Sequence, residues 1–210
     1  QAERLGADPS RVHVIPHGAF DYLTRQEGEL PLLDELAAVE GPVVLFFGLI
    51  RDYKGVDVLL RAWRSVPDAE LWIVGMPRVE LAPLRALAPE RVRFVPRFVD
   101  DRELPAYFRR ADLVVLPYRA ADQSGVLSTA LAFGKPMVLS DIGGFGELGV
   151  GRMVPPGDEE ALATALNELL ADQAARAELA AAAASAAAGP YSWAAAAERT
   201  LGLYRELLDR

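Results

Sequence analysis

The chain has 210 residues, 51% hydrophobic and 25% charged, a globular balance that excludes disorder and is long enough to bury a substantial core. A net charge of −8 without any basic tract argues against a general nucleic-acid or anionic-membrane partner. It does not argue against a phosphate ligand, because charges beyond a Debye length of ~8 Å are largely screened. Zero cysteines exclude disulfides and thiolate metal sites.

Taken in chain order, strand-like runs alternate with helical patterns. Strands are predicted at Val12–Ile15, Val43–Phe47, Leu71–Val74, Val92–Val95, Leu113–Leu116 and Met137–Leu139. Helices are predicted at Val56–Val66, about Val79–Leu87, Arg102–Arg110, Val126–Phe133, Glu159–Ala171, Ala174–Ala188 and Trp193–Leu208. Residues 21–41 carry the weakest pattern and read as a helix-bearing connector. The alternation predicts an α/β domain with a parallel sheet of about six strands and helices on both faces, a three-layer architecture. Asp100 followed by Glu103 predicts a helix cap rather than a metal site. No secretory signal precedes the first elements. The uncharged stretch from Leu179 to Ala197 is mostly alanine and is broken by Gly189-Pro190, so no membrane span is expected. The sequence starts at Gln1, and we expect it to be a piece of a longer protein.

Two segments carry candidate chemistry. In the first, the apolar run Val43–Phe47 ends in Gly48, a short loop carries Arg51 and Lys54, and Gly55 opens an amphipathic helix. An unalternating apolar run is a central strand, so these cations sit on a strand-to-helix loop at the carboxyl edge, where open α/β sheets bind ligands. Beside a helix N-terminus they suit an anion such as a diphosphate. Taken alone, the loop is equally consistent with two solvated cations. In the second segment, the Leu113–Leu116 strand ends at Pro117, and Ser124-Gly125 opens a short helix closed by Gly134. Small residues there admit a ligand to the first-turn N–H groups, although Ser is also an ordinary N-cap. Two such edges on one sheet are more specific than either. His13 and His17 are too few for a zinc cluster, and no Gly-x-Gly-x-x-Gly follows Phe47, which argues against a dinucleotide enzyme. No catalytic acids suggest a sugar-nucleotide epimerase.

The ordered landmarks resemble the C-terminal, nucleotide-sugar-binding half of the family 4 retaining glycosyltransferases of GT-B fold. They are Val14-Ile15-Pro16-His17-Gly18, Phe47-Gly48 through Lys54-Gly55, Ala111 to Pro117, Ala130 to Pro136, Gly143-Gly144 with Glu147, Val154 to Asp158, and Tyr191-Ser192-Trp193 with Tyr204. The resemblance implies a Rossmann-like donor-binding domain over residues 1–190 and a crossover helix over 191–210. It implies transfer of a hexosyl group from a nucleotide-diphosphate sugar to an acceptor hydroxyl. Lys54, with Arg51 reaching in, would stabilise the leaving diphosphate, and no metal or other cofactor would be required. Gly48, Gln123, Ser124, Gly125 and Val126 would hold the phosphates and sugar, while Arg97, Phe98 and Val99 would flank the base.

The sequence departs from the family pattern at Leu49, where Arg is frequent, and at Ala121 and Thr129, where the paired glutamates would fall. Thr129 offers the ribose one neutral hydroxyl instead of a carboxylate, and Asp122 or Gln123 would partly replace the lost sugar contact. The implied partners are the donor, a missing N-terminal acceptor domain and no nucleic acid. The implied location is cytoplasmic, at the inner face of a membrane through that missing domain. The terminal stripe Trp193, Ala197, Leu201, Tyr204 and Leu208 is expected to stay partly exposed and to support self-association. The alternative reading is a non-catalytic nucleotide-sugar-binding or partner module.

Overall fold

A computed structural model describes residues 6, 8, 11–121 and 123–209. Six parallel strands form one sheet: β1 (Val43–Phe47), β2 (Glu70–Val74), β3 (Val92–Val95), β4 (Leu113–Leu116), β5 (Met137–Ser140) and β6 (Arg152–Val154). Their spatial order is β3-β2-β1-β4-β5-β6, so the direction of winding reverses between β1 and β4. The register pairs Val43–Phe47 with Glu70–Val74 on one side and Val44-Leu45 with Leu113-Val114 on the other. A strand between two neighbours, with helices above and below, has no solvent face. Val43 to Phe46 are accordingly fully buried.

The helices are α1 (Asp34–Ala37), α2 (Val56–Trp63), α3 (Leu81–Leu87), α4 (Leu104–Arg110), α5 (Gly125–Ala132), α6 (Glu159–Ala171), α7 (Gln173–Ala188) and α8 (Trp193–Leu208). α2 packs with α3 and α6, while α5 packs with α7 and with a 3-10 turn at Asp21–Arg25 that also meets α4. Crossovers out from the centre in both directions produce this two-sided cover. The Asp100–Glu103 cap is present, with Asp100 Oδ1 accepting from the N–H groups of Arg102 (2.8 Å) and Glu103 (3.1 Å), and Glu103 Oε2 accepting from Asp100 N–H. The capped turn precedes α4, which starts at Leu104, Pro105 fitting its first turn.

Two expectations need correction. Val12–Ile15 is not a strand: Val12 and Val14 are exposed, and the segment runs without a ladder partner among the described residues. The contacts to α5 and α8 begin further on, at His17 and Phe20. The sixth strand is instead Arg152–Val154, three residues between Gly151 and Pro155. Such a short edge strand carries too little pattern to be read.

Among the described residues no helix is long and apolar enough to cross a membrane. No residue of α8 is buried, and Trp193, Leu201, Tyr204 and Leu208 are exposed along it. Its start is anchored by Trp193, 4.8 Å edge-on to His17, and by the 2.7 Å bond from Ala19 N–H to Tyr191 O.

Candidate anion site at the strand switch point

Where winding reverses, the loops leaving β1 and β4 diverge to opposite faces and leave a crevice at the carboxyl edge. The residues lining a cavity of about 320 Å³ there include Gly48, Tyr53, Lys54, Tyr118, Gln123, Ser124, Gly125, Val126 and Thr129. Gly48 has φ +103°, and a Cβ on it would come within 3.1 Å of both Lys54 Nζ and Val126. Glycine is required for the backbone turn and keeps the space between those two groups open.

Lys54 is the only charged side chain among the described residues lining the cavity. It is 8% exposed, and no described carboxylate pairs with it. Its ammonium lies 4.9 Å from the ring centroid of Tyr118, a cation–π contact. Burial, and to a lesser degree the neighbouring Arg51 charge, pull the Lys54 pKa down to about 8. A buried cation with no anionic partner is costly and calls for an anion.

The first turn of α5 supplies the facing donors. Ser124 is the N-cap, with Oγ accepting from Leu127 N–H at 3.4 Å. The preceding N–H groups of Gly125 and Val126 have no intrahelical acceptor and border the same cavity. Together with the helix dipole they favour negative charge. Among the described residues no group of three or more His, Asp or Glu side chains is placed to hold a metal ion.

The structure thus brings Gly48, Lys54, Gln123, Ser124, Gly125, Val126 and Thr129 together. Thr129 donates its hydroxyl to Gly125 O at 2.8 Å, so only lone pairs remain for a ligand. Arg51 is exposed and lines a different cleft, of about 460 Å³, with Arg78 and Glu80. Arg97 is turned to Glu103 through two bonds of 2.8 and 2.5 Å; Phe98 is 65% exposed and Val99 is buried. Asp122 lies outside the described residues.

Sequence reasoning missed Tyr118 and Arg119. Tyr118 is buried, its phenol pKa raised by burial, and its hydroxyl is 3.5 Å from Ser124 Oγ. It therefore links the cation to the helix start. The signal available was a Tyr-Arg pair directly after a buried strand. On the far side of residues 123–125 a second cavity, of about 350 Å³, is lined by His17, Phe20, Phe145 and Tyr191 among others.

A family model for glycosyl transferases group 1 matches residues 41–172, which takes in both loops. The chain belongs to that family. The D-inositol 3-phosphate glycosyltransferase of Xylanimonas cellulosilytica is 33% identical over 98% of this chain and 54% of its own length. The phosphatidyl-myo-inositol mannosyltransferase of Mycobacterium leprae is 37% identical over 97% of this chain and 55% of its own length. The chain thus spans about half the length of these curated relatives. The crystal structure of HepE from Anabaena in complex with UDP-glucose superposes with a TM-score of 0.80 and 22% identity, over 97% of this chain and 60% of that one. The shared fold is the Rossmann-like half of a GT-B glycosyltransferase.

Proposed function

We propose that this chain is the donor-binding half of a hexosyltransferase, which moves a sugar from a nucleoside-diphosphate sugar to an acceptor hydroxyl with retention. The observation that carries the reading is Lys54, a buried ammonium without an anionic partner among the described residues, set across Gly48 from the start of α5. As the glycosidic bond breaks, negative charge grows on the leaving diphosphate. Lys54 and the first N–H groups of α5 are fixed where that charge develops, so they stabilise the transition state more than the ground state. This neutralisation by the chain's own groups calls for no metal. Arg97, Phe98 and Val99 flank the base largely through their main chain in this reading, since the Arg97 side chain is held by Glu103. Arg51 lies outside the cavity, so any action on the diphosphate requires it to swing across from its own cleft.

The acceptor is proposed to sit on a second domain outside this chain, with the exposed face of α8 against it. Membership of the family supports sugar transfer, and the activities of the two relatives favour an inositol-type polyol as acceptor. A second reading is favoured by Ala121 and Thr129, which place no carboxylate where the family pattern has its glutamates: a module that binds nucleotide sugars without transfer. A thermal-shift panel of UDP, GDP, ADP and their sugars tests binding. Turnover by the chain mixed with its N-terminal half separates the two readings. No shift with any nucleotide would refute both.

A further inference from the structure

The loops after β1 and β4 come unusually close. Gly55 has φ +68°, and a Cβ there would lie 2.0 Å from Pro117 O, so only glycine lets the second loop pass. Immediately beyond the contact stands Arg119. Its backbone N–H donates to Tyr53 O at 2.7 Å, and its Nη1 donates to Asp52 O at 2.8 Å. The same guanidinium grips Asp57 with two parallel bonds, Nη1 to Oδ1 at 2.8 Å and Nη2 to Oδ2 at 2.6 Å. Asp57 is in the first turn of α2 and also accepts from Arg61 at 2.9 Å, while Arg61 pairs with Glu159 at the start of α6. Arg119 therefore holds residues 52, 53 and 57, on both sides of Lys54 in sequence, from the neighbouring loop. Its predecessor Tyr118 forms the face over which the Lys54 ammonium lies.

We propose that Arg119 is the positioning residue of the anion site, bracing the two loops so that Lys54 stays seated against the ring of Tyr118 before any ligand arrives. The inference rests on the donor-site reading for its functional meaning, although the brace itself is independent of it. Arg119 touches neither the cavity nor Lys54, so it acts through Tyr53, Tyr118 and the Asp57 turn. A half-exposed ion pair contributes little to overall stability. A fork of two parallel bonds fixes orientation, which a lysine could not reproduce. Preorganisation is what the brace supplies: without it the loops separate, water reaches the ammonium, and part of the binding energy goes into reassembling the site.

The chain contains two lysines, Lys54 and Lys135. Lys135 is held elsewhere, by the carbonyls of Arg109 and Ala111. NMR of lysine labelled at Cε with carbon-13 therefore reports the Lys54 titration with an internal control. The variants are Arg119→Gln and Asp57→Asn. Removing a cation directly raises the midpoint of a nearby lysine, and removing an anion directly lowers it. Loss of the brace rehydrates Lys54 and raises its midpoint in both variants. We expect both to raise the Lys54 midpoint toward the ordinary lysine value, leave Lys135 unmoved, and lower the melting temperature by no more than about 4 °C.

Affinity for the best nucleoside diphosphate should fall roughly tenfold in each variant. An Asp57→Asn midpoint that falls or stays put overturns the brace, as does an unchanged affinity in both variants alongside strong wild-type binding. A wild-type chain that binds no nucleoside diphosphate defeats the donor-site reading, while the Lys54 titration still decides the brace.

Discussion

The switch-point loops and the terminal helix are built on opposite plans. The loops after β1 and β4 are tied by a glycine contact, a bidentate ion pair and an aromatic pair, Tyr53 and Tyr118, 6.1 Å apart. Enclosed within them is Lys54, with no anionic partner among the described residues. α8 is tied at its first turn by Trp193 against His17 and by the Ser192 cap, and leaves an apolar stripe in water. The first region turns a buried cation and free helix N–H groups toward one small cavity. The second leaves open a large apolar surface. A tightly braced polar edge binds small charged ligands, whereas a loosely held apolar helix meets another protein surface.

The sharpest way to break this contrast is at Gly55. Gly55→Ala forces a Cβ into Pro117 O at a left-handed backbone position and should cost ~3 kcal/mol or more in urea unfolding. A cost below ~1 kcal/mol would mean that the loops are free to part.

Next in size is Lys54. With its pKa depressed from 10.5 to about 8, the unfolded chain binds more protons than the folded chain between those values, so stability rises with pH across that window. Below pH 8 the penalty is fully present, and Lys54→Met should relieve up to about 3 kcal/mol at pH 7. Lys135 is shifted the same way, so the contribution of Lys54 is the part of the pH 7.5-to-10 gain that Lys54→Met abolishes. A variant less stable than wild type at pH 7 would show that the ammonium already has a partner.

The smaller effect belongs to α8. Trp193 is half-exposed, and Trp193→Ala should cost about 1 kcal/mol through the lost His17 contact. Sedimentation should show self-association that weakens when Leu201 and Tyr204 are both changed to Ser. A strict monomer at high concentration would remove self-association as the way the stripe is covered.

Much of this was legible in sequence for physical reasons. β1 could be read because a strand buried on both faces is continuously apolar, and Lys54 because it follows that strand and precedes an amphipathic helix. Ser124-Gly125 was legible as a cap with small residues. What could not be read depended on distance across the fold. Nothing local distinguishes Arg51, which faces another cleft, from Lys54, three residues on and buried. Arg97 looked available until Glu103 was seen to hold it. Arg119 and Asp57 are 62 positions apart and meet only because β4 pairs with β1. Val12–Ile15 has the alternation of a strand without a neighbouring strand to pair with.

Lys54, without an anionic partner among the described residues, is what would make the switch point a diphosphate site. The direct measurement is the dissociation constant of the best-binding nucleoside diphosphate at pH 7 and pH 9, for wild type and Lys54→Ala. Wild type should weaken roughly fivefold or more at pH 9 as the amine loses its proton, while Lys54→Ala should bind weakly and equally at both values. Equal affinities for the two proteins, or a pH dependence that persists in Lys54→Ala, would contradict it.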